Sequence, residues 1–324
     1  MLLLLLSGIT VNAQLQNCSH LQRSNGFQRH SQGDQDGILR DIFNTIGVTN
    51  RCAVEFGFGY HKNSNHTGEE RLQHTILNTR LLREQGWKAI YFDALISDSE
   101  ARIHKVILTE DNLVDSFRAA GVPAEVDYVS IDVDSIDIWL LRAMLKVYRP
   151  RVISVEYNRN FLSWMHITHV RKWHAWSRHS VYGASAGAIN HVAHINGYVT
   201  VNIMPSGLDM FLIRNDTLQS HCLPHSIASF EELADAAAVG KRFHPTCHER
   251  YDLPRLVDLH LELQGDHKQA HLKAIKEVSL LNSLNPMNPM CNLTEITWER
   301  WTHRAPVDEE RSRGDGRGVG HMSM

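Results

Sequence analysis

The chain has no run of about 18 consecutive apolar residues, the length a helix needs to cross a bilayer, so a transmembrane span is not expected. It has no basic block either. With 33 Lys and Arg against 36 Asp and Glu, and a formal charge of −3, nothing in the charge pattern asks for a nucleic acid or an anionic membrane as partner. The five cysteines, Cys18, Cys52, Cys222, Cys247 and Cys291, lack C-x-x-C spacing, which argues against a zinc ribbon or a thioredoxin-type motif. No Lys or Arg precedes the apolar residues 2–6. These residues, running on to Val11-Asn12-Ala13, still have the core and small-residue cleavage site of a secretory signal. Residues 1–13 therefore read as a signal peptide whose basic start is missing or truncated.

What is present is an ordinary globular composition. The 324 residues, 43% hydrophobic and 21% charged, suffice for one large domain with an appendage or for two modest ones. A secretory route, ending secreted or lumenal, agrees with four N-x-[ST] sequons, at Asn17, Asn65, Asn215 and Asn292. In an oxidising compartment the cysteines allow up to two disulfides. Cys222 with Cys247 is the expected pair, against scattered thiols as the alternative. The 21 histidines make the chain distinctly more basic near pH 6.

Residues 14–36 are polar and read as loop. Ile38, Leu39, Ile42, Phe43 and Ile46 then recur at helical spacing, with Asp36 as N-cap and Gly47 as stop. Strand patterns follow from Cys52 into a glycine turn, and at 88–93, 102–108, 126–132, 151–156, 199–203 and 208–214. Helical patterns separate most of them: about 78–85, 109–117, a stretch with Ile138, Leu141, Leu145 and Val147 on its apolar face, and 183–196. Parallel neighbours need crossovers and helices supply them, so the alternation implies a mostly parallel α/β sheet with helices on both faces. The domain spans residues 37–218. Residues 219–304, with helices expected at 230–239 and 268–281, form a C-terminal helical extension, and the charged, Gly-rich residues 305–324 read as disordered.

Ligands of such sheets bind beyond the carboxyl ends of the strands. Glu55-Phe56-Gly57-Phe58-Gly59 is a glycine-rich first turn of the kind that lets a nucleotide-like ligand approach the backbone. A dinucleotide fingerprint would place a third glycine at position 62, where Lys62 stands, so an NAD-linked oxidoreductase is disfavoured. Asp93 closes the second strand, where an acid accepts hydrogen bonds from ribose hydroxyls. Asp132 and Asp134 close the 126–132 strand, and Glu156 and Asn158 close the next. Asp134 and Asp137 also suit a plain helix-capping role. Asp132, Asp134, Glu156 and Asn158 are hard oxygen ligands that a divalent metal could use, an option not favoured over a metal-free site. His166 and His169, three apart, would share a helix face as a zinc patch, but without a Cys or acid at ligand spacing a packing loop is preferred.

Taken together, several stretches resemble the FkbM-type class I S-adenosylmethionine-dependent methyltransferases, and most closely their uncharacterised eukaryotic relatives. They are Ser31-Gln32 with Gln35-Asp36-Gly37, Val54-Glu55-Phe56-Gly57, Asn78-Thr79 ahead of Gly86-Trp87, the Asp127 to Asp137 stretch, Arg149-Pro150-Arg151-Val152 through Asn158, and Tyr182-Gly183-Ala184-Ser185. The resemblance covers roughly residues 31–218. It implies a seven-stranded Rossmann-like sheet with a reversed last strand. It further implies S-adenosylmethionine as cofactor, held at Glu55, Gly57, Gly59 and Asp93, and methyl transfer to a small-molecule or glycan hydroxyl. For that chemistry Asp132 or Asp134, at the end of the fourth strand, would serve as the catalytic base or hold the substrate hydroxyl, with Glu156, Asn158 and Tyr182 on the substrate side. Two departures stand out: Glu55 to Asp93 is longer than the roughly 20 residues usual for a nucleotide-binding unit, and His61 occupies a third-glycine position. A non-catalytic binding protein on a degenerate methyltransferase fold is the rival reading, because the methyl donor is made in the cytosol.

Overall fold

The computed structural model describes residues 15–23, 25–57, 68–94, 96–173, 182–240 and 255–284. Residues 1–13, Gly59, His61, Lys62, Asn65, Cys247, Cys291, Asn292 and the tail from 305 lie outside the described residues.

Nine strands are found among the described residues: β1 (Cys52–Phe56), β2 (Lys88–Asp93), β3 (Ile103–Lys105), β4 (Tyr128–Ile131), β5 (Val152–Glu156), β6 (Ile167–His169), β7 (Tyr198–Ile203), β8 (Asp209–Arg214) and β9 (Leu256–Asp258). Seven of them form one sheet in the order β3-β2-β1-β4-β5-β8-β7. The ladders β3-β2-β1-β4-β5 are parallel, and β8 alone runs against its neighbours β5 and β7. The helices are α1 (Gln35–Ile46), α2 (Gly68–Gln73), α3 (Arg80–Glu84), α4 (Leu113–Ala119), α5 (Asp137–Leu145), α6 (Ala186–Ile195), α7 (Asn215–Gln219), α8 (Phe230–Ala236), α9 (Leu259–Leu263) and α10 (His267–Leu284). The protein is thus α/β, with a mostly parallel Rossmann-like sheet.

Alternation along the strands sends successive side chains to opposite faces. Val54, Phe56, Val129, Ile131, Ile153 and Val155 pack with Leu113 and Phe117 of α4, Trp139 and Leu140 of α5, and Ile189 of α6. Ala53, Tyr128, Val152, Phe211 and Ile213 pack on the other face with Ile38, Leu39, Ile42, Phe43 and Ile46 of α1. The helical spacing read in α1 is therefore its sheet-facing stripe. α5 is buried over nearly its whole length, which explains its weak amphipathic pattern; Val147, expected on its apolar face, is beyond the helix and 49% exposed.

Some expectations need correction. The third strand is confined to three residues at the sheet edge rather than 102–108. Asp36 does not cap α1. Its Oδ2 instead accepts from the backbone N–H of Arg29, His30 and Ser31 at 2.8, 2.7 and 3.1 Å, which folds the preceding loop back onto the helix. Cys222 pairs with Cys18, at a Cα separation of 5.6 Å, and not with Cys247. The reason is tertiary: Gln16 bridges to Cys222, with the Gln16 N–H donating to the His221 carbonyl and the Leu223 N–H to the Gln16 carbonyl, so the N-terminal segment lies alongside residues 221–223. Cys52 is a buried free thiol.

Residues beyond 218 are stitched into the same cores. Leu233, Ala237, Val257 and Leu259 join the α4–α6 face, and β9 pairs antiparallel with β6. No described helix is long and apolar enough to cross a membrane.

Candidate functional site

The strand order reverses between β1 and β4, and the carboxyl ends of β1, β2, β4 and β5 meet around that point. Gly57 follows β1 with φ +82°, and a Cβ there would lie 1.2 Å from the Asp132 carbonyl oxygen. The space a side chain would need is taken by main chain, so this glycine serves the close approach of β1 to β4. The register Phe56↔Phe92 sets Gly57 beside Asp93 at the end of β2. Asp93 is half-buried, and its Oδ1 accepts from the Ile96 N–H at 2.8 Å, which turns the chain away from the edge.

Glu55 lies one pleat further in, on the α1 face, and its carboxylate is used internally. It accepts from the Asn78 N–H at 2.8 Å, the Thr79 N–H at 2.9 Å and the Thr79 hydroxyl at 2.5 Å, fixing the turn into α3. Burial pushes its carboxyl up to about 7 against these bonds. A polar stripe continues from it across the same face. Asn78 Nδ2 donates to Ser130 Oγ at 3.1 Å and Asp209 Oδ2 at 3.3 Å, Ser154 Oγ donates to Ser130 Oγ, and Gln35 Nε2 reaches Asp209 Oδ2 at 3.0 Å.

The stripe ends in acids. Ile131↔Val155 are partners in the β4–β5 ladder, so Asp132 and Glu156 come next to each other, and Glu156↔Asp209 are partners in the β5–β8 ladder. One oxygen each from Asp132, Asp134 and Glu156 lies within 4.8 Å of the others. Asp134 reaches them from a left-handed backbone conformation, φ +63°, which an L residue adopts at a cost of about 1 kcal/mol or more. Two bonds hold it there: the Val133 N–H donates to Asp137 Oδ1 at 2.7 Å and the Gly183 N–H to the Asp134 carbonyl at 3.1 Å. Asp137 is thus the strap of the β4–α5 loop and not the helix cap expected of it or of Asp134: Ile136 holds the N-cap position of α5, and no side chain caps it.

Burial, then the charges of Asp134 and Asp209, raises the Asp132 carboxyl well above the usual range. Burial and the charge of Asp132 do the same to Glu156. Burial alone raises Asp134 and, against hydrogen bonds from Gln35 and Asn78, pushes Asp209 up to about 6; burial, with a smaller contribution from the charge of Asp134, pushes Asp137 up to about 7 against its backbone hydrogen bonds. Among the described residues no Lys, Arg or His forms an ion pair with these five acids. Burial therefore makes these carboxyls harder to ionise than exposed ones.

Asn158 is buried behind this edge with both ends of its amide engaged: Nδ2 donates to the Tyr182 carbonyl at 2.9 Å, and Oδ1 accepts from the Asn160 N–H. It fastens the 182–185 segment to β5. Tyr182 is half-buried, and burial followed by the charge of Glu156 raises its phenol, so the ring stands close to the acids. Ser185 caps α6, its Oγ accepting from the Ala188 N–H.

The histidine loop is organised differently from the zinc patch weighed above. His166 and His169 share no helix; His169 is buried in β6, and Trp139 donates to its carbonyl. His166 packs instead against His260 of α9 and His191 of α6, with ring centroids 4.2 and 5.7 Å away. Asp209, Gln35 and Asn78 were not singled out for the site. Asp209 opens the apolar run of β8, an acid at the start of a strand, and it reaches a carboxyl edge only because β8 runs backwards.

No protein-family model matches the chain, and no curated protein matches it. Fold and site by themselves define a Rossmann-like α/β protein with an acidic group at the carboxyl edge of its central strands.

Proposed function

We propose that the protein is an S-adenosylmethionine-dependent methyltransferase of the secretory pathway, acting on a hydroxyl of a small molecule or glycan. The observation that carries this reading is the convergence of Gly57, Asp93, Asp132, Asp134 and Glu156 on both sides of the point where strand order reverses. Open α/β sheets take their ligands there. The single reversed strand, β8, agrees with the sheet that the family resemblance implies.

The donor, when bound, supplies a methyl group on a cationic sulfonium. Asp93 fits it as the acceptor of ribose hydroxyl hydrogen bonds, because it is a half-buried carboxylate at the carboxyl end of β2, beside Gly57. Glu55 acts from behind, by fixing residues 78–79 under the edge. Gly59 lies outside the described residues. On the acceptor side, Asp132 or Asp134 holds the hydroxyl and takes its proton at a carboxylate oxygen; a carboxylate with a raised pKa is the stronger base near neutral pH. Glu156 and Tyr182 flank that position. Methyl transfer asks mainly for alignment, and two adjacent strand ends provide a rigid frame for it.

A second reading, a non-catalytic binding protein on the same fold, is favoured by the Cys18–Cys222 disulfide, which belongs to an oxidising compartment that must import the donor. Calorimetric titration of the purified protein with S-adenosylmethionine and S-adenosylhomocysteine separates the two. Saturable binding of both supports the enzyme. No heat with either ligand overturns it.

A further inference from the structure

We propose that Asp132, Asp134 and Glu156 form a binding site for a hard divalent cation of the Mg2+, Mn2+ or Ca2+ class. Two oxygens on one such ion, at about 2.0–2.6 Å each, can be no more than about 5 Å apart. The three carboxylates already meet that condition, with one oxygen of each within 4.8 Å of the others. They do so on rigid supports. Asp132 and Glu156 extend neighbouring parallel strands, and Asp134 is held in its left-handed conformation by the Gly183 N–H donating to its carbonyl and by the Val133 N–H donating across it to Asp137.

A cluster of acids alone would be weak ground. The second observation is Asp137, which is 0% exposed and has one oxygen, Oδ2, without any hydrogen-bond partner. Its charge acts on both Asp132 and Glu156, so it lies near the same group. Glu156 Oε2 is likewise buried without a partner. A buried carboxylate oxygen without a donor costs free energy that only a proton or a cation recovers. No basic side chain among the described residues pairs with these acids, so none of those residues supplies the compensating charge. Asn158, an oxygen ligand on sequence grounds, is excluded because its amide is occupied by Tyr182 and Asn160. Three carboxylates leave several positions of a six- to eight-coordinate ion for water or for oxygens of a ligand. The proposal deepens the functional reading by giving the acceptor side an oxygen-seeking centre, but cation binding is measured without the donor.

The test is calorimetric titration of EDTA-treated full-length protein with MgCl2, MnCl2 and CaCl2 separately, and of Asp134→Asn and Glu156→Gln alongside. The expected result is one saturable site for at least one ion, weakened tenfold or more in each variant and unchanged in Asp93→Asn. Melting in EDTA checks folding; each variant should melt at or above the wild type, since one crowded acid has been neutralised. A rise in wild-type melting temperature with the ion gives a readout that needs no variant. No saturable binding of any of the three ions, or equal binding by wild type and both variants, overturns the proposal. Cation binding without donor binding upholds it while overturning the methyltransferase reading.

Discussion

Arg151 and Asp127 form a buried ion pair, 2.9 Å long, at the amino ends of β5 and β4, with side-chain exposures of 7% and 0%. Asp127 also accepts from the N–H groups of Thr49, Asn50 and Arg51, while Arg151 donates to the carbonyls of Ile46 and Gly47 at the end of α1. The sheet is therefore compensated at one pole and acid-rich at the other. The hydrogen bonds outweigh burial and hold the Asp127 carboxyl below its ordinary value, whereas Asp132, Asp134, Asp137, Glu156 and Asp209 are all raised.

Breaking this pair leaves one charge buried alone. Asp127→Ala or Arg151→Met should lose about 3–5 kcal/mol of stability. Urea unfolding by circular dichroism measures it, and a loss below about 1 kcal/mol would show that the pair is not the anchor described.

Gly57→Ala puts a methyl group onto the Asp132 carbonyl in a backbone conformation of φ +82°. Clash and strain together should cost about 2–4 kcal/mol. Thermal unfolding of the variant checks this; a protein as stable as wild type would mean that β1 and β4 do not approach as described.

How far the chain could be read beforehand follows from these same residues. β1, β2, β4 and β5 were legible because each is an apolar run closed by a polar residue, and their ends gave Asp93, Asp132 and Glu156. The inward turn of Glu55 was not, because which face a strand residue takes depends on the helices that cover it. Asp209 was missed because a reversed strand presents its first residue, rather than its last, at the carboxyl edge. β6 and β9 are three-residue strands whose pairing exists only in the tertiary structure. The Cys18–Cys222 pairing arises from Gln16 lying along Cys222, a contact between segments 204 residues apart at the two cysteines.

That crosslink closes a long loop, which should make it worth about 2–5 kcal/mol. Cys18→Ser is expected to lower urea stability by that amount, and non-reducing peptide mapping of wild type should recover Cys18 joined to Cys222. Recovery of Cys222 joined to Cys247 would contradict the structure.

The His166, His191 and His260 cluster sets a pH dependence. Burial, then the charges of His260 and His191, holds His166 down to about 4 in the folded state, against about 6.5 when unfolded. The unfolded chain thus binds more protons between these values, and this contribution, full above about pH 6.5, is lost as pH falls toward 4. The gap in stability between wild type and His166→Gln should shift against wild type over that window. A gap that stays constant from pH 7 to 4 would contradict the cluster.

The central claim, that donor and acceptor occupy opposite sides of the strand-order reversal, is tested most directly by titrating S-adenosylhomocysteine into Asp93→Asn and Asp134→Asn. Asparagine at 93 keeps an oxygen for the Ile96 N–H while removing the carboxylate offered to ribose. The account predicts binding weakened tenfold or more in Asp93→Asn and unchanged in Asp134→Asn. Equal affinity in both variants and wild type, or loss in Asp134→Asn alone, would contradict it.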